Sequence, residues 1–242
     1  YELSQIQVAD LCEASNELGI ELVVETGSRF LLDPARKHFP TLLEDGAGDR
    51  LKRVDFLKRC VDLAELLDAQ VVSLWSGAAP GGVVADWRSS PGDPEPGENC
   101  ERAWRSLCEG VEQVLGHAKG SGVRLAFEPE PGMFIARPKG FGELLQRLGS
   151  TGDALGMTLD VGHCLVTMDS IPVAIEKWKN YIINVHLEDI ADGVHDHRMF
   201  GEGDLDLGGT LRALIEADFD GVASVELSRD SHRGPVAATE AM

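Results

Sequence analysis

The amino-acid sequence predicts an α/β fold built on a parallel β-sheet, and two observations carry this prediction. Short runs rich in β-branched residues alternate with longer segments of helical periodicity, which is the pattern of repeated strand–helix units. Several of the short runs are continuously apolar, as expected for strands that are covered on both faces. Because α/β barrels of about 250 residues commonly form one domain, we expect residues 1–242 to form a single domain.

Six segments have the character of strands. Each is a short apolar run, and the helical patterns lie between them, so we expect all six strands to be parallel. The predicted strands are Leu22–Thr26, Val71–Trp75, Arg124–Glu128, Gly156–Asp160, Ile182–Leu187 and Val222–Glu226.

Three of the helical patterns are clear. The chain begins on a helix that ends near Leu18, with Ile6 and Leu11 on its apolar side, and apolar residues recur at helical spacing in 54–67 and again in 104–118. The segment 76–97 is rich in Gly and Pro and lies between a strand and the helix that follows it. A barrel carries its active-site loops at such positions, so we interpret this segment as a loop and not as a domain linker.

The chain is strongly acidic, with 22 Lys and Arg residues against 41 Asp and Glu residues and a formal net charge of −19. This charge repels phosphate backbones, so we expect no nucleic-acid partner. The apolar runs are far shorter than the roughly 20 residues of a membrane span. The five cysteines form no C-x-x-C pair, which disfavours a disulfide framework and favours a reducing compartment. We therefore expect a soluble, cytoplasmic protein with no membrane partner.

In the later predicted strands, the apolar run ends in an ionisable residue. These residues are Glu128, Asp160, His186 and Glu226. The carboxyl ends of barrel strands all lie at one face, so the four side chains are expected to converge. A single acid at a strand end is often only the first solvated residue, but four in succession favour a common cause. Because crowded carboxylates repel one another unless a cation holds them, the pattern predicts a divalent metal site.

A second histidine cluster follows the strand of His186. His195 and His197 are two residues apart, so on an extended segment they point the same way, and His163 comes from a neighbouring strand end. A second metal ion at His163, His195 and His197 is one interpretation, and a solvated loop is the other. Arg198 next to them is a fixed positive charge for an oxyanion, hydroxyl or phosphate of a substrate, or a surface ion-pair partner.

Five short motifs, taken in order, resemble the sugar phosphate isomerase/epimerase family of xylose isomerase-like barrels. The resemblance runs from Leu22 to Leu227 and implies a (β/α)8 TIM barrel. The motifs are L-x-x-E at 125–128, L-D-V-G-H at 159–163, V-H-L-E-D at 185–189, G-E-G-D at 201–204 and V-E at 225–226. In this alignment the first two predicted strands are the third and fourth of the barrel. We therefore expect an N-terminally incomplete barrel with about six of eight strands, whose exposed edges favour a homo-oligomer.

The resemblance implies roles for the residues at the strand ends. Glu128, Asp160, His186 and Glu226 would bind one divalent ion (Mn, Mg, Co or Zn), with Glu128 and Glu226 as the acid/base pair, while His163 and Arg198 would contact a small carbohydrate. The implied function is a metal-dependent isomerase or epimerase that acts on a sugar or sugar phosphate through a metal-stabilised enediolate. A lyase or dehydratase acting on an oxidised sugar or inositol starts from the same intermediate.

Two further functions remain as alternatives. The related AP endonucleases share the fold and bind two additional zinc ions, one of them at positions resembling His163, His195 and His197. The histidines for the other are replaced here by Thr26-Gly27 and Trp75-Ser76, and the negative charge disfavours DNA. The second alternative is a barrel that binds a small molecule without catalysis.

Several other residues are weaker candidates for substrate contacts. Trp75 and Trp87 could stack on a sugar ring or pack in the core. The loop 29–38, which includes His38, gathers positive charge and could receive a phosphate or acid, unless it is an ordinary solvated loop. Glu130 could exchange roles with Glu128. Glu188 and Asp189, just after His186, are expected to support the ligands or to be solvated, and not to bind the metal.

Overall fold

The structure of the chain, a computed structural model, describes residues 5–82 and 97–242. Strands and helices alternate along the sequence, as predicted. The elements are α1 (Gln5–Leu18), β1 (Val23–Glu25), α2 (Ala47–Leu66), β2 (Val71–Leu74), α3 (Glu98–Ala118), β3 (Arg124–Phe127), α4 (Pro138–Leu148), β4 (Leu155–Asp160), α5 (Val161–Val166), α6 (Ile171–Trp178), β5 (Ile182–Leu187), α7 (Leu207–Glu216), β6 (Val222–Val225) and α8 (Gly234–Ala241).

The six strands form one parallel sheet in the order β1-β2-β3-β4-β5-β6. Side chains of strands that are not neighbours meet on its inner face. Oε1 of Glu25 on β1 lies 3.1 Å from Nε2 of His186 on β5, and Oγ of Ser73 on β2 lies 2.9 Å from Oγ1 of Thr158 on β4. The sheet therefore curves as a barrel wall does, and the predicted strands are confirmed to within one residue at each end.

The helices cover the outer face of the sheet. Leu57 of α2, Leu107 of α3 and Phe141 of α4 are fully buried in one continuous apolar cluster with outward-facing strand residues such as Leu125 and Phe127. A separate small cluster of Val71, Ala126 and Ile183 fills the inner face near the amino ends of the strands. Polar side chains replace apolar ones on the inner face toward the carboxyl ends, where Thr158 and Asn184 are fully buried.

Helix α1 is less well covered than its apolar pattern predicts. Ile6 and Leu18 are 74% and 71% exposed, whereas Val8 and Cys12 pack against the core. No helix in the two described ranges combines the length and the hydropathy that crossing a bilayer requires. Trp87 of the predicted loop 76–97 lies outside the described residues.

Candidate metal centre

Four side chains at the carboxyl ends of the last four strands converge on one point. Glu128 follows β3, Asp160 ends β4, His186 lies near the end of β5 and Glu226 follows β6. One ligand atom from each lies within 4.8 Å of all the others. Nδ1 of His186 is 3.1 Å from Oε1 of Glu128, 3.1 Å from Oε2 of Glu226 and 3.6 Å from Oδ2 of Asp160. Ligands of a single divalent ion, each about 2.0–2.2 Å from it, lie roughly 3–3.6 Å apart.

A β-bulge directs His186 into this group. In the pairing of β4 with β5, Met157 lies opposite Ile182 but Thr158 lies opposite Asn184, so β5 contains one extra residue. Side chains alternate along a strand, and an extra residue reverses which positions face inward. Asn184 and His186 therefore lie on the inner face with the acidic ligands.

Asp160 serves both the fold and the site. Its Oδ1 accepts a hydrogen bond of 2.9 Å from the backbone N–H of His163 and thereby caps the amino end of α5. Its Oδ2 is buried and, within the described part of the chain, accepts no hydrogen bond. The cap fixes one oxygen, so the other is available to a cation.

Electrostatics at the four candidate ligands follow from burial and crowding. Burial raises the pKa of Glu128. Burial opposes protonation of His186, but Glu128, Asp160 and Glu226 together raise its pKa well above the usual value. Burial also opposes ionisation of Asp160, yet the imidazoles of His163 and His186 hold its pKa below the usual range. A divalent cation is the partner that offsets several buried carboxylates at once.

Glu25 is a neighbour of this site that the sequence reasoning missed. Its Oε1 is 3.1 Å from Nε2 of His186 and 3.4 Å from Nδ2 of Asn184. A ligand histidine commonly donates its second ring N–H to a carboxylate, and Glu25 is placed to accept that bond. The sequence does carry a signal for it, because Glu25 ends β1 as the four candidate ligands end later strands.

A second group of possible ligands comprises His163, Glu188 and His195. Nδ1 of His163 lies 3.0 Å from the carbonyl oxygen of Pro129 and can donate to it, which leaves a lone pair on Nε2. That Nε2 faces Nε2 of His195 at 3.1 Å. Burial, with additional contributions from His163 and His197, lowers the pKa of His195 to about 4, which favours its neutral, metal-binding form.

Glu188 is the most unusual residue of the site. It is fully buried, and neither of its oxygens accepts a hydrogen bond from the described residues, although Oε2 lies against Nδ1 of His197. Burial, and then the charges of Asp160 and Glu226, raise its pKa to about 11. Gly162 makes room for it, because a Cβ at that position would overlap the Glu188 side chain.

The predicted histidine cluster thus forms, but with a different third member. The ring centroids of His163 and His195 are 4.8 Å apart, and those of His195 and His197 are 4.5 Å apart. His197 turns its Nδ1 toward Glu188, and Glu188 completes the group of ligand atoms that lie close together. Glu188 was expected to be a supporting or solvated residue, and its complete burial places it among the candidate ligands.

Asp189 organises the loop that carries these histidines. Its Oδ1 accepts hydrogen bonds from the backbone N–H groups of Ile190 and Leu205, and its Oδ2 accepts from those of Gly201 and Gly203, each at 2.9 Å. A side chain at Gly203 would overlap Asp189 itself. The G-E-G-D motif therefore exists because its backbone wraps closely around one buried carboxylate.

The remaining predicted substrate contacts lie in two places. Arg198 directs its Nε to both oxygens of Asp196, at 3.0 and 2.9 Å. Trp75 is buried between the edge of His38, with ring centroids 5.5 Å apart, and the guanidinium of Arg53, 4.5 Å from its ring centre. Its Nε1 has no hydrogen-bond partner in the described ranges.

The loop 29–38 carries less free positive charge than its composition indicates. Arg36 pairs with Asp33 at 2.7 Å, and burial with nearby Lys37 and Arg53 lowers the pKa of His38 to about 4. The Arg36–Asp33 ion pair and the lowered pKa of His38 therefore disfavour an anion-binding role for this loop.

Glu130 lies two residues beyond Glu128, outside the group of four ligands. Burial, and then the charge of Glu128, raise the pKa of Glu130 to about 8.

Comparisons with known proteins agree with this architecture. The chain shares its fold with a D-tagatose 3-epimerase-like protein (TM-score 0.73, 22% identity, 98% of this chain and 83% of the other). It also shares its fold with an IolI protein that holds a zinc atom (TM-score 0.69, 19% identity, 97% of this chain and 78% of the other). At these identities the two structures establish the fold alone.

An inosose dehydratase of Clostridium perfringens is 22% identical over 147 residues, or 54% of this chain. The match spans about half of the length of that relative, 49%. The profile of one family matches residues 1–242 throughout. The chain therefore belongs to the xylose isomerase-like TIM barrels.

Proposed function

We propose that this protein is a metal-dependent isomerase or epimerase acting on a sugar or sugar phosphate. The observation that carries the proposal is the convergence of Glu128, Asp160, His186 and Glu226 from four successive strands. Membership of the family and the fold shared with an epimerase-like protein support it. A barrel without chemistry would have little reason to hold three carboxylates this close together.

The residues fit a divalent cation. Three carboxylates and one imidazole suit Mn, Mg, Co or Zn. One buried oxygen of Asp160 accepts no hydrogen bond from the described residues, so its lone pairs are available to a metal ion. When bound, the ion would polarise the substrate carbonyl and stabilise the enediolate that forms next to it. The zinc atom in the IolI protein of the same fold supports this assignment.

Glu128 and Glu226 are the proposed acid/base pair. Both carboxylates lie 3.1 Å from the same nitrogen of His186, so both border the proposed position of the ion, to which the substrate oxygens would bind. One would remove the proton next to the carbonyl, and the other would return a proton, on the same or the opposite face of the carbon. His163, held by the Pro129 carbonyl, and Arg198 are the proposed contacts to substrate oxygens.

The test is turnover of ketoses and their phosphates by the purified protein, with metal content measured by elemental mass spectrometry. We expect about one divalent ion in the first site and a loss of roughly 100-fold or more in kcat for E128Q and E226Q. The matched control is E216Q, at the exposed end of α7, which should retain full activity. Equal activity of E226Q and the wild type would remove the acid/base assignment.

A dehydratase is the second candidate, and the inosose dehydratase relative favours it. The enediolate that reprotonates in an epimerase can instead expel a neighbouring hydroxyl as water. The two reactions differ in product mass, because epimerisation conserves it and dehydration lowers it by one water. Mass spectrometry of the products from ketose and inosose substrates separates them.

A zinc phosphoesterase is the third candidate, and the group of His163, Glu188 and His195 favours it because that group could hold a second ion. The acidic charge of the chain argues against a DNA substrate. Cleavage of a duplex with an abasic site by the zinc-loaded protein would favour this function over the isomerase.

A further inference from the structure

A cavity of about 460 Å³, formed by residues that follow β5 and β6, is rich in arginine. It is lined by Arg198, Glu202, Arg229, Asp230, His232 and Arg233. The lining has three arginines and His232 against two acidic residues, whereas the whole chain has nearly twice as many acidic as basic residues. The proposed mechanism uses only Arg198 among them.

One carboxylate holds two of the guanidinium groups in place. Asp196 accepts Nε of Arg198 and, at 2.8 Å, Nη1 of Arg229. Asp196 is shared, so among the described residues neither of these two guanidinium groups has a carboxylate of its own. Within the described part of the chain, Nη2 of Arg198 and both Nε and Nη2 of Arg229 make no hydrogen bond, so they can donate to a ligand.

The third arginine is also held in place. Arg233 donates to Asp230 and to Glu240, at 2.7 Å in each case, and its Nη2 has no such bond to a described residue. A guanidinium that is already held by carboxylates loses less side-chain entropy when a ligand binds. Arg198 and Arg233 are therefore positioned donors, whereas Arg229, whose side chain is 62% exposed, is held by one bond to Asp196.

The cavity and the candidate metal centre both contain residues of the two segments that follow β5 and β6. Arg229 lies three residues after Glu226, and Arg198 follows His197, whose Nδ1 is 3.7 Å from Oε1 of Glu226. The lining comes from the segments after β5 and β6, the last two strands. Segments after the last strands of TIM barrels are frequent phosphate sites.

We propose that this cavity binds the terminal anionic group of the substrate, a phosphate or a carboxylate, while the reacting carbons lie at the metal centre. Both groups accept paired hydrogen bonds from a guanidinium. The proposal rests on the proposed function and narrows its substrate class to anionic sugars.

The first experiment measures binding of inorganic phosphate to the metal-loaded full chain by calorimetry, for the wild type and for R229Q and R233Q. Arg212, an exposed arginine of α7 outside the cavity, supplies the control R212Q. We expect each cavity variant to weaken phosphate binding by about tenfold or more and R212Q to leave it unchanged. Equal phosphate affinity in the wild type and both cavity variants would overturn the proposal, since phosphate would then bind elsewhere.

The second experiment compares kcat/KM for a ketose, its phosphate and the corresponding acid. The cavity predicts that at least one anionic substrate exceeds the neutral one and that R229Q lowers this ratio by about tenfold. The anionic substrate with the higher kcat/KM relative to the neutral ketose shows whether the cavity binds a phosphate or a carboxylate.

The two proposals fail in different ways. Turnover of the neutral ketose without any preference for anions would leave the isomerase standing and remove the cavity proposal. Phosphate binding that is lost in R229Q, together with no turnover of any ketose, would keep the anion site and remove the isomerase.

Discussion

The two groups of possible metal ligands are built in different ways. Every ligand of the first group, Glu128, Asp160, His186 and Glu226, lies at or directly after a strand end, so sheet register alone brings them together. The second group takes Glu188 and His195 from the segment after β5 and His163 from α5, so it depends on how that segment turns back. Register fixes a site more firmly than loop geometry does, and we expect the first group to bind an ion more tightly.

The largest expected effect comes from D160N. The asparagine keeps an oxygen that can cap α5, but it removes a charged ligand from the first group. We expect metal affinity and turnover to fall by roughly 100-fold or more, while thermal unfolding without metal changes little. Titration of the variant with Mn²⁺, followed by calorimetry and by the metal-induced rise in Tm, checks this. The same metal response in D160N and the wild type would contradict a binding site on the strand ends.

The next effect is a dependence of metal binding on pH. Because the pKa of His186 is raised well above its usual value, its ring retains a proton that a metal ion must displace, and the raised pKa of Glu128 acts in the same direction. Affinity should therefore rise with pH through and above the usual titration range of histidine, by up to about tenfold per pH unit for each proton released. Metal titrations in two buffers with different ionisation enthalpies count the released protons. A flat profile would mean that neither group is a ligand.

A smaller effect, confined to the second group, is expected from E188Q. Loss of this carboxylate should lower the affinity for the second zinc ion by about tenfold and leave the affinity for the first ion unchanged. Calorimetric titration with Zn²⁺ resolves the binding of the first ion from the binding of the second. A single binding step in the wild type, unaffected by E188Q, would show that the histidine cluster holds no ion.

The smallest effect concerns the space that Gly162 leaves for Glu188. We expect G162A to cost about 1–3 kcal/mol in the free energy of unfolding, because the new methyl group would overlap a fully buried side chain. The control is G116A, an exposed position within α3 with open space around it, which should gain up to about 1 kcal/mol in stability. Urea unfolding of G162A, G116A and the wild type measures both changes in the free energy of unfolding. If both alanine substitutions stabilised the protein equally, the Glu188 side chain would not pack against Gly162.

The fold and the first ligand group could be predicted from sequence because both depend on short-range rules. Apolar runs define the strands, and parallel strands bring the ends of those runs to one face. The predicted position of Asp160 needed nothing else, whereas the inward direction of His186 also depends on a β-bulge that leaves no clear mark in the sequence.

The rest could not be predicted because it depends on contacts between distant residues. Glu188 is buried against the backbone of Gly162, which is distant in sequence, and nothing in V-H-L-E-D distinguishes it from a solvated acid. The apolar side of α1 could be identified but not its exposure, because helical periodicity gives the direction of a face and not what packs against it. Arg36 is paired with a near neighbour in sequence, and composition alone does not reveal such pairing.

The hydrogen bonds of Asp189 restrain the loop that contains His195, His197 and Arg198. One carboxylate holds the backbone of residue 190 at the start of the loop and that of residues 201, 203 and 205 at its end. The loop is thereby closed into a ring, and its start and end cannot separate without breaking bonds at one buried group. Its side chains are carried on a frame that is already ordered, so ligand binding costs little loop entropy.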